Sequence, residues 1–121
     1  MKLSHMRIFQ LQRWTAIALL VFMTIHMIVV HYPPFHIDFS IILERLQEPL
    51  WKVIDVAFLA TVLVHALLGA YMVLTDYDRF SKMRRAIAWV LVVLLVAGFI
   101  YGSITIINFQ GIPEAAEAMV R

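Results

Sequence analysis

His65 lies near the middle of a long apolar run, about ten residues from either end and so roughly 15 Å from each at the helical rise. At about 100° per residue, Phe58, Thr61, His65, Gly69, Met72 and Asp76 fall within about 40° of one meridian. One face therefore carries an imidazole, a glycine one turn away and an acid at the rim. Neutral imidazole is a good ligand for haem iron, and aliphatic surroundings suit a porphyrin. Gly69 is expected to remove the side chain that would block a flat ligand approaching His65. The same pattern equally serves an interhelical hydrogen bond from the histidine, with close packing at the glycine. His26 is the second candidate, about 12 residues into its own apolar run, roughly 18 Å deep, on a face with Thr15, Leu19 and Phe22. Its depth suits ligation of a separate iron better than joint ligation of one iron with His65. Each iron would then take its second histidine from another chain. A hydrogen-bonding role for His26 is equally open. His31 and His36 at the outer interface and His5 in the N-terminal tail are expected to be solvated.

The elements that carry these residues follow from composition. The chain has 121 residues, 63% of them hydrophobic and 15% charged, and no cysteine. A soluble domain of this size averages roughly 45–50% apolar and about 25% charged, and could not hide the excess in one small core. An ordinary water-soluble fold, a disordered chain and a disulfide-stapled domain are excluded. So are a cysteine-ligated cluster and a cysteine-ligated zinc site. The net charge is +2. These basic residues read as topology signals and not as a nucleic-acid surface, so membrane lipid and no nucleic acid is expected around the chain.

Three stretches are long enough to span a bilayer, at about 14–32, 53–75 and 86–107. Backbone groups in lipid must pair internally, so all three are expected as helices of an all-α membrane protein forming a single domain over 1–121. The first is longer than a signal-peptide core and lacks a small-residue cleavage site, so it reads as a mature helix. Lys2, Arg7, Arg13, Arg79, Lys82, Arg84 and Arg85 fall on one side of the membrane; Arg45, Lys52 and Arg121 fall on the other. That bias puts the N-terminus in the cytoplasm and the C-terminus outside, in a cell inner membrane. Between the first two spans, Phe39, Ile42, Leu43 and Leu46 recur at helical spacing behind Asp38, which suggests a short helix lying in the outer interface. Gly98 and Gly102 form a small-xxx-small pair, a helix-packing cue.

The segment His65–Tyr77 reads H-A-L-L-G-A-Y-M-V-L-T-D-Y, and Gln12-Arg13-Trp14-Thr15-Ala16 opens the first span. Together with three spans and an internal N-terminus, these motifs resemble the hydrophobic membrane anchors of succinate dehydrogenase (succinate:quinone oxidoreductase, related to fumarate reductase), over about residues 13–107. The resemblance implies that His65 is an axial ligand of a b-type haem and that Tyr77 hydrogen-bonds a quinone carbonyl, with Asp76 shaping the site. It implies that Arg13 lies near the haem propionates and the quinone pocket. A phenol donor and a nearby cation would stabilise a partly reduced quinone oxygen. One-haem anchors need no histidine in the first helix, whereas two-haem members use one there, and His26 lies at the depth that role requires.

The expected function is thus a membrane anchor subunit of succinate:quinone oxidoreductase that helps hold one or two haem b groups and build the quinone-reduction site. Its partners would be a second membrane anchor, an iron–sulfur subunit and a flavoprotein subunit. Two other readings are a cytochrome b subunit of another respiratory quinone oxidoreductase and a cofactor-free membrane assembly subunit.

Overall fold

The computed structural model describes residues 4–31, 44–45 and 47–108. Three long helices dominate it: α1 (His5–His31), α2 (Pro49–Asp76) and α4 (Arg84–Asn108). A single turn, α3 (Asp78–Ser81), joins the last two. No strand occurs among the described residues. Each long helix is long and apolar enough to cross a membrane. At 27, 28 and 25 residues they rise roughly 40 Å, more than the roughly 30 Å hydrocarbon core, so their charged ends emerge into the interfaces. The many Val and Ile residues would weaken these helices in water. In lipid the internal pairing of every backbone group overrides that preference.

The second and third expected spans sit inside α2 and α4, and the first lies in α1 up to His31, its last residue falling outside the described residues. The first differs most, because α1 begins nine residues before Trp14. Ser4 accounts for the early start: its hydroxyl accepts the Arg7 N–H at 3.4 Å and its carbonyl accepts Arg7 and Ile8, which caps the first turn. α2 starts with Pro49 in the first turn, where the missing N–H costs nothing. It stops at Tyr77, whose backbone is extended (φ −78°, ψ 128°) for one residue before α3 begins. The Tyr77 carbonyl then accepts the N–H groups of Phe80 and Ser81, both at 3.0 Å, which bridges the break. The expected interfacial helix, with Asp38, lies almost entirely outside the described residues.

α2 is the central helix. It packs against α1 on one side and α4 on the other, while α1 and α4 touch each other little. The two seams are built differently. Toward α1, residues Ile8, Gln12, Thr15, Leu19, Phe22 and His26 recur at alternating spacings of four and three and are the less exposed face of that helix. Toward α4, Gly98 and Gly102 open a groove that receives Leu63 and Leu59 of α2. The small-xxx-small cue is thus used within the chain.

Intramembrane hydroxyls are mostly satisfied by their own helix. Thr24, Thr61, Thr75 and Thr105 each donate to the carbonyl four residues earlier, at 2.7–2.9 Å. At the N-terminal end of α2, Arg45 pairs with Asp55 at 3.5 Å and lies over the Trp51 ring at 5.3 Å. Lys52 Nζ donates to the Ile107 carbonyl at 3.1 Å, covering one of the last unpaired carbonyls of α4. Only Ile8 and Thr75 are buried among the described residues, whereas Trp14, Leu20, Trp89 and Tyr101 stand at least two-thirds exposed. Three helices in a row leave most of their apolar surface for lipid or for partner helices.

Candidate functional site

The meridian expected on α2 faces α1, and its residues meet α1 level by level. Nearest the N-terminal end of α2, Phe58 packs on His26, with ring centroids 5.4 Å apart, and on Phe22 at 6.2 Å. Seven residues on, about 10 Å along the axis, His65 Nδ1 lies 3.1 Å from Thr15 Oγ1. One further turn on, Gly69 lies against Gln12: a Cβ there would come within 3.1 Å of the Gln12 amide nitrogen. Beyond it, Met72 and Asp76 line an open cleft of about 340 Å³ with His5, Ile8, Tyr71, Val73, Thr75 and Arg84.

The Gly69 notch differs from expectation. The space above it is taken by the Gln12 side chain, so within this chain the glycine admits a neighbouring helix and not a flat ligand. The reason is orientation. Gly69 faces the α1 seam, and a long amide on α1 fills whatever volume a missing Cβ leaves at close helix approach. A planar ligand reaching His65 must come in along the flank of the seam, where His65 is only partly covered.

His65 and His26 occupy different environments. His65 has one ring nitrogen hydrogen-bonded to Thr15. His26 is wedged between Phe58 and the edge of His31, whose ring centroid is 6.1 Å away, and its Nδ1 is buried without a partner. The two histidines stand at separate depths, as antiparallel helices require. Among the described residues no three His, Asp or Glu side chains gather in one place.

At the basic end, the cleft holds Asp76 but neither Tyr77 nor Arg13. Tyr77 is 63% exposed at the helix break, its ring free to meet a ligand or partner at the membrane surface. Arg13 is exposed on α1, turned about 100° from Gln12 and hence away from α2, with its guanidinium 5.8 Å over the Phe9 ring. Near Asp76 the cation is Arg84, which donates a hydrogen bond to His5 Nε2 at 3.2 Å. From the sequence, Arg84 reads as a topology determinant and His5 as a solvated tail residue; the cleft uses both. Thr15 reads from the sequence as a polar residue on the His26 face, with Leu19 and Phe22. The four-three spacing of Ile8, Gln12, Thr15 and Leu19 was the signal that Gln12 and Thr15 point into the seam beside Gly69 and His65.

No curated protein matches the chain. The family model for the succinate dehydrogenase/fumarate reductase transmembrane subunit matches residues 3–102, from just before α1 to Gly102 in α4. With three membrane-spanning helices and a matched region covering most of the sequence, the chain belongs to the succinate dehydrogenase/fumarate reductase transmembrane subunit family.

Proposed function

We propose that this multi-pass membrane subunit anchors a succinate:quinone oxidoreductase, supplies an axial haem b ligand through His65 and forms part of the quinone-reduction site at the basic end. The observation that carries the haem assignment is the state of His65: an imidazole near the middle of a membrane-spanning helix, partly covered, with one nitrogen at hydrogen-bond distance from Thr15. That donor set fits a b-type haem. A haem bound there would supply one-electron redox chemistry within the membrane, its second axial ligand coming from a partner anchor.

Quinone reduction takes two electrons and two protons. The electrons would come from succinate oxidation on a flavoprotein subunit and reach the membrane through an iron–sulfur subunit. Tyr77 would donate its phenolic hydrogen bond to a quinone carbonyl, favouring the negative charge that develops on that oxygen. Asp76 beside it shapes the pocket, and Arg13 lies on the same membrane face, where the N-terminus would be cytoplasmic by the distribution of basic residues. His26 is the candidate ligand of a second haem nearer the outer face; its buried, unpartnered Nδ1 is the observation in favour.

The Thr15–His65 hydrogen bond also supports a second reading, in which His65 only ties α1 to α2 and no haem is held. A reduced-minus-oxidised visible spectrum of the whole complex, purified through this chain and with haem counted per copy, separates the two. Haem b in the native complex and its loss in His65→Ala are expected. Two haems per copy would bear out His26 as a ligand, and one would confine it to packing. Full absorbance in His65→Ala would overturn the ligand assignment.

A further inference from the structure

Thr15 sits where it determines which nitrogen of His65 carries the proton. Its hydroxyl has one hydrogen, and two carbonyls of its own helix compete for it: Leu11 at 2.9 Å and Gln12 at 3.1 Å. A threonine hydroxyl in this helical geometry donates back into the helix, which turns an oxygen lone pair outward across the seam. The group facing that lone pair is His65 Nδ1, at 3.1 Å. From this pattern the proton is assigned to Nδ1, and Nε2 is left with its lone pair.

We propose that Thr15 is the positioning residue of His65: it accepts the Nδ1 hydrogen, fixes the tautomer and ring plane of the imidazole, and so presents the Nε2 lone pair toward the flank of the seam. This rests on the reading of His65 as a haem ligand. Without Thr15 the Nδ1–H would lose this partner, and the ring would be free to turn or to move its proton to Nε2, which would leave Nε2 without a lone pair for iron. A hydrogen bond accepted from the far nitrogen also makes the near nitrogen a stronger donor, which favours ferric iron.

The test uses the intact complex purified through this chain, in four forms: native, Thr15→Ser, Thr15→Val and Thr15→Ala. Serine keeps the hydroxyl; valine removes it at nearly constant shape; alanine removes it with loss of volume. Haem per complex, the midpoint potential from a redox titration of the visible absorbance, and the low-temperature electron paramagnetic resonance of the ferric haem are read for each. The expected result groups serine with native. Valine and alanine should share a midpoint shifted to more positive potential, altered ferric resonances and a reduced haem content. Overlapping midpoints and resonances in all four forms would overturn the proposal. A grouping by size, with serine and alanine together against native and valine, would overturn it as well. His65→Ala is measured alongside: full haem content there defeats the ligand reading itself, whereas loss of haem there with an unchanged valine variant defeats only the role of Thr15.

Discussion

Leu59 of α2 is seated over Gly102 of α4 so closely that a Cβ on the glycine would lie 2.5 Å from a leucine methyl carbon. The neighbouring notch is looser: a Cβ at Gly98 would stand 3.5 Å from Leu63, an ordinary contact. The α2–α4 seam therefore has one position where an added methyl group would force Leu59 to shift and one that tolerates a methyl group. Gly102→Ala should destabilise the complex by roughly 1–3 kcal/mol, the usual cost of overpacking. Gly98→Ala should stay within roughly 0.5 kcal/mol of native. Thermal or denaturant unfolding of the detergent-solubilised complex distinguishes them, and equal effects at the two glycines would contradict the geometry.

Gly69 makes a comparable prediction about the other seam. Its added Cβ would meet the Gln12 amide nitrogen at 3.1 Å, close enough that the amide must move by a few tenths of an ångström. Gln12 is long and flexible, so Gly69→Ala should cost less than Gly102→Ala. The cost should also depend on Gln12: in Gln12→Ala the clash is gone. A double-mutant cycle should therefore give a coupling on the order of 0.5–1 kcal/mol between these positions, and an additive cycle would show that the glycine is needed for something other than the amide.

At the N-terminal end of α2, Arg45 and Asp55 are each mostly covered, with side-chain exposures of 13% and 16%. Removing one partner strands the other charge at the membrane boundary, and the Arg45 Nε is already buried without a hydrogen bond. Asp55→Asn should cost roughly 1–3 kcal/mol, and the double variant Arg45→Gln, Asp55→Asn should be more stable than that single variant. Unfolding measurements on the native complex and these two variants check this; a double variant weaker than Asp55→Asn would mean that each residue has a further partner.

Fold and site were legible to different depths. Span number, helical state and the α2 face of Phe58, His65, Gly69, Met72 and Asp76 follow from apolar run length and helical period, which one sequence displays. The order of the helices does not follow. All three are apolar on every side, so no stripe announces that α2 is central, and packing in lipid is decided by small-residue notches whose partners lie far along the chain. Thr15 shows the same limit: its own helix makes it visible as a polar residue, but only the register of α1 against α2 reveals that it meets His65. The early start of α1 was hidden because its first turns carry Arg7, Gln10, Gln12 and Arg13, which interrupt the apolar run without interrupting the helix.

Tyr77 contributes to the fold through its backbone and is available for chemistry through its ring. The extended residue and its carbonyl bridge α2 to α3, whereas the side chain is 63% exposed. Tyr77→Phe should therefore leave assembly and unfolding unchanged, since phenylalanine adopts the same backbone angles. If the phenol holds a quinone carbonyl as it takes on charge, the variant should lose roughly ten- to a hundredfold in quinone turnover, the usual span for a hydrogen bond to a charged group. Succinate-dependent reduction of a soluble dye that accepts electrons before the membrane should be preserved in the same preparation. Asp76 sits in the cleft with Arg84 and His5, so Asp76→Asn should alter the Michaelis constant for quinone without removing the phenolic donor. Unchanged quinone kinetics in Tyr77→Phe would move the quinone site away from this helix break, and equal loss of the dye reaction would place the defect in assembly.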